Sequence, residues 1–524
     1  MRPKFYSYPV IFLLFVLVYS CKKDDTKGPD PIFNVSRTTL EVGNDVGYTD
    51  TVVVKTNIDW TINVSADASA WLSVTPVQKG TGDSTIVTIK VIAANTASSQ
   101  TGVITITPGG SNTQPIQVNI SRKAYSLVWQ KCYGGSGSDV CEATALFPNG
   151  QFVTVGSSTS VDGDALGNTG DLMGWALGVG NDGNKLWQKQ IGGVGTYWKS
   201  VVALSDGSSV TAGTIVSAVT GDYNLSVVKF DANGNIVWNK SYGGSKTDVA
   251  DKIITTADGG FLVAGDTQSS DGDIKTYHGN GDSWLVKLDA NGNLVWEKTF
   301  GGASVEMSSS ITACSDGGYL LLGNTLSDNT GDVPGSHGKQ DFFVVKTDAN
   351  GNKLWSKTYG GSADEISTSV MRDTDGGCIL LGHTFSANGD VVGKTGTDID
   401  LWVLKITKDG QIGWQAVLGG SNADNGNSLA RLPNGNIVIG GATNSQDRDI
   451  TSYHGGTADV WVLVMSSTGK LVWQKTFGSS GGEINMDIAA AADGSLLVTN
   501  GTGGNDGDVS GNHGKGDFWI FKLK

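Results

Sequence analysis

The sequence predicts an all-β chain: an immunoglobulin-like β-sandwich followed by a seven-bladed β-propeller closed by strand exchange between N-terminal and C-terminal strands. Three observations carry this. Glycine supplies 75 of 524 residues, about twice the usual share of roughly 7%, with no G-X-Y period and beside many Val, Ile and Thr and 15 Trp. That is the composition of short strands joined by tight turns. Residues 31–122 hold short apolar runs separated by turn-rich stretches, and from Tyr125 onward a tryptophan phrase recurs to the end of the chain. With 17% charged and 38% hydrophobic residues, coiled coils and charge-rich disordered chains are excluded. The net charge of −14 disfavours a polyanion such as nucleic acid and leaves cations and neutral polymers such as glycans open.

Arg2 and Lys4 precede an apolar run from Pro9 to Tyr19, too short to span a bilayer as a helix and laid out like a secretory signal peptide over residues 1–20. Val18-Tyr19-Ser20-Cys21 resembles a lipoprotein processing site, which implies lipidation of Cys21 at the head of a tether over 21–30. Cys21-Lys22-Lys23-Asp24-Asp25 resembles the short charged signal that sends lipoproteins of Bacteroidetes-type bacteria to the outer face of the outer membrane. The expectation is an outer-membrane lipoprotein facing the cell exterior, touching membrane through its lipid only. Cys132, Cys141, Cys314 and Cys378 lack the spacing of a disulfide scaffold or a metal site and are expected to be unpaired, mostly buried thiols.

Residues 31–122 read as seven or eight strands, clearest at 51–55, 60–64, 85–91, 102–106 and 116–120, a spacing that suits a two-sheet sandwich. Asn57-Ile58-Asp59-Trp60, Trp71-Leu72-Ser73-Val74-Thr75-Pro76, Gly80-Thr81-Gly82 and Thr101-Gly102-Val103-Ile104-Thr105-Ile106 together resemble the BACON domain. The resemblance implies a candidate glycan contact at Trp60 and Trp71. The alternative is a spacer with both indoles in its core.

Trp129, Trp187, Trp238, Trp296, Trp355, Trp414 and Trp473 each begin a phrase like Trp-Gln-Lys-x-Tyr-Gly-Gly, at spacings of 58, 51, 58, 59, 59 and 59. Each period offers four short strands, which cannot bury both faces alone but can when stacked radially around an axis. Seven second strands and seven third strands are countable. The region 125–524 enters on a fourth-strand phrase and ends after a third strand, so the entering strand is expected to complete the last blade and remove an aggregation-prone edge. The units resemble secreted bacterial propeller arrays that read Trp-x-Lys-x-Tyr-Gly-Gly, Asp-Gly-Gly-aromatic, Asp-Gly-Asp-Val-x-x-x-His-Gly. Asp231-Ala232-Asn233-Gly234-Asn235-Ile236-Val237-Trp238 is more weakly similar to quinoprotein propellers, a likeness that bears on the fold and not on a quinone.

Two sets of side chains recur on one face. Asp139, Asp248, Glu306, Glu365, Asp424 and Glu483 start the innermost strands and form a candidate axial-mouth ring, with Tyr197 in the remaining place. Asp273 and His278, Asp332 and His337, Asp449 and His454, and Asp508 and His513 recur in the second-to-third loops as candidate metal or structural pairs. A repeated acid commonly serves backbone N–H groups. Converging carboxylates favour a bound cation, for which Ca²⁺ is the hard-oxygen choice. No cofactor is required by any motif. There is no Gly-x-Ser-x-Gly elbow, His-Glu-x-x-His or phosphate loop, and His383 alone stands outside the repeat, as a core or rim histidine.

The sequence therefore points to a non-catalytic, monomeric surface lipoprotein that binds glycan or a surface protein. The alternative is a glycan-active hydrolase or lyase using carboxylates at the propeller mouth.

Overall fold

The computed structural model describes residues 31–42, 49–79, 82–93, 100–110, 113–122, 125–217 and 219–524. The expected leader, Cys21 and the tether lie outside the described residues.

The first module packs a four-stranded sheet, ordered Phe33–Val35, Thr49–Thr56, Gly82–Val91 and Leu72–Thr75, against a five-stranded one, ordered Thr39–Glu41, Ile116–Arg122, Gln100–Pro108, Trp60–Val64 and Gln78–Lys79. Alternation decides which side chains enter the core: Val87, Ile89 and Val91 are buried while Ile86 is 63% exposed. Trp60 and Trp71 are 1% and 3% exposed within this core. The Arg122 guanidinium stacks 4.4 Å over the Trp71 ring and donates to Gln100 and to the Ala93 carbonyl.

Residues 125–524 form seven four-stranded antiparallel sheets. The first begins at Asp139–Leu146, and its counterparts in sheets 2 to 7 are Tyr197–Ala203, Asp248–Thr255, Glu306–Ala313, Glu365–Arg372, Asp424–Arg431 and Glu483–Ala490. These first strands touch one another in order, and the last touches the first. Sheet 7 draws on both ends of the region: Leu127–Tyr133 pairs antiparallel with Asp517–Leu523, from Leu127 opposite Leu523 to Tyr133 opposite Phe518.

The repeated phrase is explained by contacts within and between sheets. The indole N–H groups of Trp175, Trp284, Trp402, Trp461 and Trp519, all 0% exposed, donate to Gln188, Glu297, Gln415, Gln474 and Gln130. Each acceptor directly follows the phrase tryptophan. The phrase tryptophan itself lies against the glycine of the next sheet's third-to-fourth turn; a Cβ added at Gly292 would meet Trp238 at 3.0 Å, and one at Gly351 would meet Trp296 at 2.7 Å. For Trp473, Tyr125 takes that place, with ring centroids 5.1 Å apart. The phrase tyrosine adds a second tie, as where the Tyr359 hydroxyl donates to the Gly410 carbonyl at 2.8 Å.

Candidate functional site

Each acid of the expected ring is at most 2% exposed and has donors provided by its own sheet. The backbone N–H four residues upstream donates to it: Gly135 to Asp139 at 2.9 Å, Gly244 to Asp248 at 2.7 Å, Gly302 to Glu306, Gly361 to Glu365 and Gly420 to Asp424 at 2.6 Å, Ser479 to Glu483 at 3.2 Å. Hydroxyls at the end of the second strand add to this, Thr325 to Glu306, Thr384 to Glu365 and Thr502 to Glu483 among them. Burial nevertheless pushes Asp139, Asp248, Asp424 and Glu483 above the ordinary carboxylate range. In sheet 2 the preceding loop is one residue shorter, since Trp198 rather than Lys199 pairs opposite Gly213 before the bulge. Buried Thr196 thus takes the ring place expected for Tyr197.

The repeated loop acids serve backbone N–H groups, and two of the histidines reach the next sheet's loop, His337 Nε2 lying 3.5 Å from Asp390 and His454 Nε2 3.5 Å from Asp508. Asp273, Asp332, Asp449 and Asp508 do not bond His278, His337, His454 and His513 of their own loops. Each instead accepts the N–H of the first loop glycine of its own sheet: Gly243 at 3.0 Å, Gly301 at 3.2 Å, Gly419 at 3.0 Å and Gly478 at 3.3 Å. The histidines turn to an acid at the start of the third strand. His278 Nδ1 lies 2.8 Å from Asp282, His337 3.2 Å from Asp341, His454 2.7 Å from Asp459 and His513 2.6 Å from Asp517.

These third-strand acids, with Asp400, are the residues that sequence reasoning missed. Their signal was an Asp four or five residues after each histidine. Each faces a ring acid of the next sheet across a glycine: a Cβ at Gly478 would lie 2.6 Å from Asp459 Oδ1 and 2.7 Å from Glu483 Oε2. Burial pushes Asp282, Asp459 and Asp517 upward, with Glu306, Asp508 and Asp139 respectively adding to it, and Asp459 in turn adds to the rise of Glu483. Among the described residues no group of three or more His, Cys, Asp or Glu comes together to hold a metal ion. The Asp-Gly-Asp segments are loop caps, since Asp162, Asp271 and Asp506 accept N–H bonds from Ser136, Ser245 and Ser480 at 2.7–2.8 Å.

A third level was not legible. A β-bulge in each first strand leaves Glu142, Lys199, Asp251, Ser309, Thr368 and Asn427 without a cross-strand partner, so that unlike residues meet at one height around the axis. Glu142 and Lys199 pair at 3.0 Å. Burial pushes Asp251 up to about 6 and His383 down to about 4. Trp60 and Trp71, being buried, offer no ring face to a sugar, which corrects their assignment as glycan contacts. The four described cysteines are free and buried, and burial pushes the Cys132 and Cys141 thiols up to about 12.

Residues 33–122 match the family model described as the viral BACON domain. Regulatory protein FlaEY of Caulobacter vibrioides is 26% identical over 178 residues, which are 32% of this chain and 18% of that protein. The chain therefore spans under a fifth of the length of that curated relative. Among solved structures, Sqt1 from Chaetomium thermophilum covers 76% of this chain and 99% of its own at 14% identity and a TM-score of 0.41. The β-propeller domain of the Trilobed protease from Pyrococcus furiosus covers 75% and 96% at 8% identity, also with a TM-score of 0.41. The molecule is all-β, with a BACON domain followed by a β-propeller.

Proposed function

We propose that the chain is a non-catalytic binding protein of the cell surface whose ligand is a glycan, and that its seven sheets are the blades of a ring closed by the pairing of Leu127–Tyr133 with Asp517–Leu523. One observation carries the choice of binding over catalysis: the six ring carboxylates are at most 2% exposed and engaged by backbone and hydroxyl donors. A glycoside-cleaving pair must reach a scissile bond from both sides, and acids spent on holding loops do not. What remains for a ligand is the polar collar at the bulges, where the repeat gives way to individual residues. The sandwich acts as a spacer. Arg2, Lys4, the apolar run Pro9–Tyr19 and Cys21 support export and lipid attachment, and the charged residues after Cys21 support display on the outer face of the outer membrane.

The test is a panel of soluble polysaccharides presented to the intact protein. Saturable retention with no release of reducing ends or unsaturated sugars is expected, and product release at any protein concentration would overturn the reading. A palmitate analogue should label the wild-type protein in cells and fail to label Cys21→Ala.

A further inference from the structure

Sheet 7 departs from the other six at one spot. Where the second strand crosses its first strand, sheets 1 to 6 carry Gly156, Gly213, Gly265, Gly323, Gly382 and Gly441. A Cβ at any of them would collide with a facing first-strand carbonyl, such as that of Val249 or Asn425. Sheet 7 has Asn500 there, 0% exposed. Room for its side chain comes from a wider bulge, in which two residues, Asn485 and Met486, are skipped between Ile484 and Asp487. Asn485 is held at φ 53°, a conformation that is strained for a non-glycine residue and that collects at ligand sites.

The space opened by this irregularity is a cavity of about 200 Å³ between sheets 6 and 7, below the roughly 300–1,000 Å³ of sites for drug-sized ligands, so it admits one ring and not a chain. Three side-chain amide oxygens of its lining residues, those of Asn425, Asn427 and Asn500, have no hydrogen-bond partner among the described residues and almost no accessible surface, so each amide must turn to meet a ligand in the cavity. They require donors. Glu483 also borders the cavity, but its oxygens already accept from Ser479 and Thr502. Ile484, Met486, Val460 and Ala442 complete the wall with apolar surface.

Resting on the glycan-binding reading above, we propose that this cavity is the sugar subsite: it seats a single neutral sugar ring, whose hydroxyls donate to Asn425, Asn427 and Asn500 and whose C–H face lies on the apolar wall. A buried amide oxygen left without a donor is destabilising, so each hydroxyl that meets one of these oxygens contributes selectivity for a polyol over an anion.

The experiment uses the full protein and cello-, manno-, malto- and galactohexaose as probes. Wild type should retain at least one of them, Asn427→Leu should weaken retention at least tenfold, and Lys189→Leu, on the exposed fourth strand of sheet 1, should leave it unchanged. Equal retention by wild type and Asn427→Leu overturns the subsite and leaves glycan binding standing elsewhere. No retention of any probe by wild type overturns both. Should Asn427→Leu fail to fold, as shown by its melting curve, a crystal structure of wild type with the retained hexaose decides: a sugar ring against Asn427 and Asn500 supports the subsite, and a ring seated anywhere else overturns it.

Discussion

Lys394 Nζ lies 2.6 Å from Asp400 Oδ2, with both side chains at most 4% exposed, in the position that histidine takes against Asp282, Asp341, Asp459 and Asp517 in sheets 3, 4, 6 and 7. Five sheet boundaries bring a third-strand acid against a ring acid, and all five have a basic side chain, Lys394 or a histidine. The two that do not, with Met173 against Thr196 and Asn224 against Asp248, have none among the described residues. The basic side chain thus belongs to the paired acids. Removing one partner of a buried ion pair costs about 3–5 kcal/mol because the other stays behind uncompensated. Lys394→Met should lose that much in urea denaturation, and Lys394→Met with Asp400→Asn should recover most of it. Equal losses in single and double variants would contradict the pairing.

Glycine between paired acids is required by space. Gly478→Ala would push a methyl group against Asp459 and Glu483 and should cost about 1–3 kcal/mol, the range for overpacking. Gly193, with nothing within 4 Å of its would-be Cβ, is the control and should accept Ala with little change in melting temperature.

Stability should fall as pH rises above the ordinary carboxylate range. Asp139, Asp248, Asp282, Asp341, Asp400, Asp424, Asp459, Glu483 and Asp517 are all held above their ordinary range, burial being the main cause. A raised acid binds its proton more tightly in the folded state, so its contribution is complete below the unfolded pKa and is lost as pH passes the folded one. Exposed turn acids such as Asp231, Asp289 and Asp348, lowered by hydrogen bonds from Asn235, Asn293 and Asn352, work the other way and lose theirs as pH falls. The buried set is the better shielded from solvent. Calorimetry should give a higher melting temperature near about pH 5 than near about pH 8, and the reverse order would show that the turn acids dominate.

A chain beginning at Gly134 lacks the strand paired with Asp517–Leu523. It loses buried Tyr133 and the acceptor of the Trp519 indole, and should be weaker by at least the ~3–5 kcal/mol of one large buried side chain than a chain beginning at Tyr125. Identical melting of the two would mean that this strand does not hold the ring together.

In the sandwich, Trp60→Ala or Trp71→Ala should each cost about 3–5 kcal/mol and unfold the module without altering retention of sugar by the propeller. An intact module that has lost sugar retention would return these residues to a binding role.

Much of this architecture was legible because each period repeats the same contacts: the tryptophan, its following Gln and the turn glycine occupy fixed places in every sheet where all three occur. The ring acids were legible as positions, and their burial followed from the donors that the loop glycines offer. The partner of each histidine was not legible, because the loop turns the first acid back to a glycine N–H and leaves the histidine to an acid beyond it. Lys394 escaped notice since a lysine six residues before Asp400 does not resemble a histidine four before Asp282. The cavity beside Asn500 depends on which side chains a wider bulge admits, and only the exchange of glycine for asparagine at that one position foreshadowed it.

The hydrogen bond from Trp519 to Gln130 joins residues 389 positions apart. At about 5–20 residues per second of synthesis, Leu127–Tyr133 waits roughly 20–80 s before its partner strand exists. During that interval its edge is open to any other strand, including those of a neighbouring nascent copy, and the arrival of Asp517–Leu523 decides whether sheet 7 is completed within one molecule or across a swapped pair.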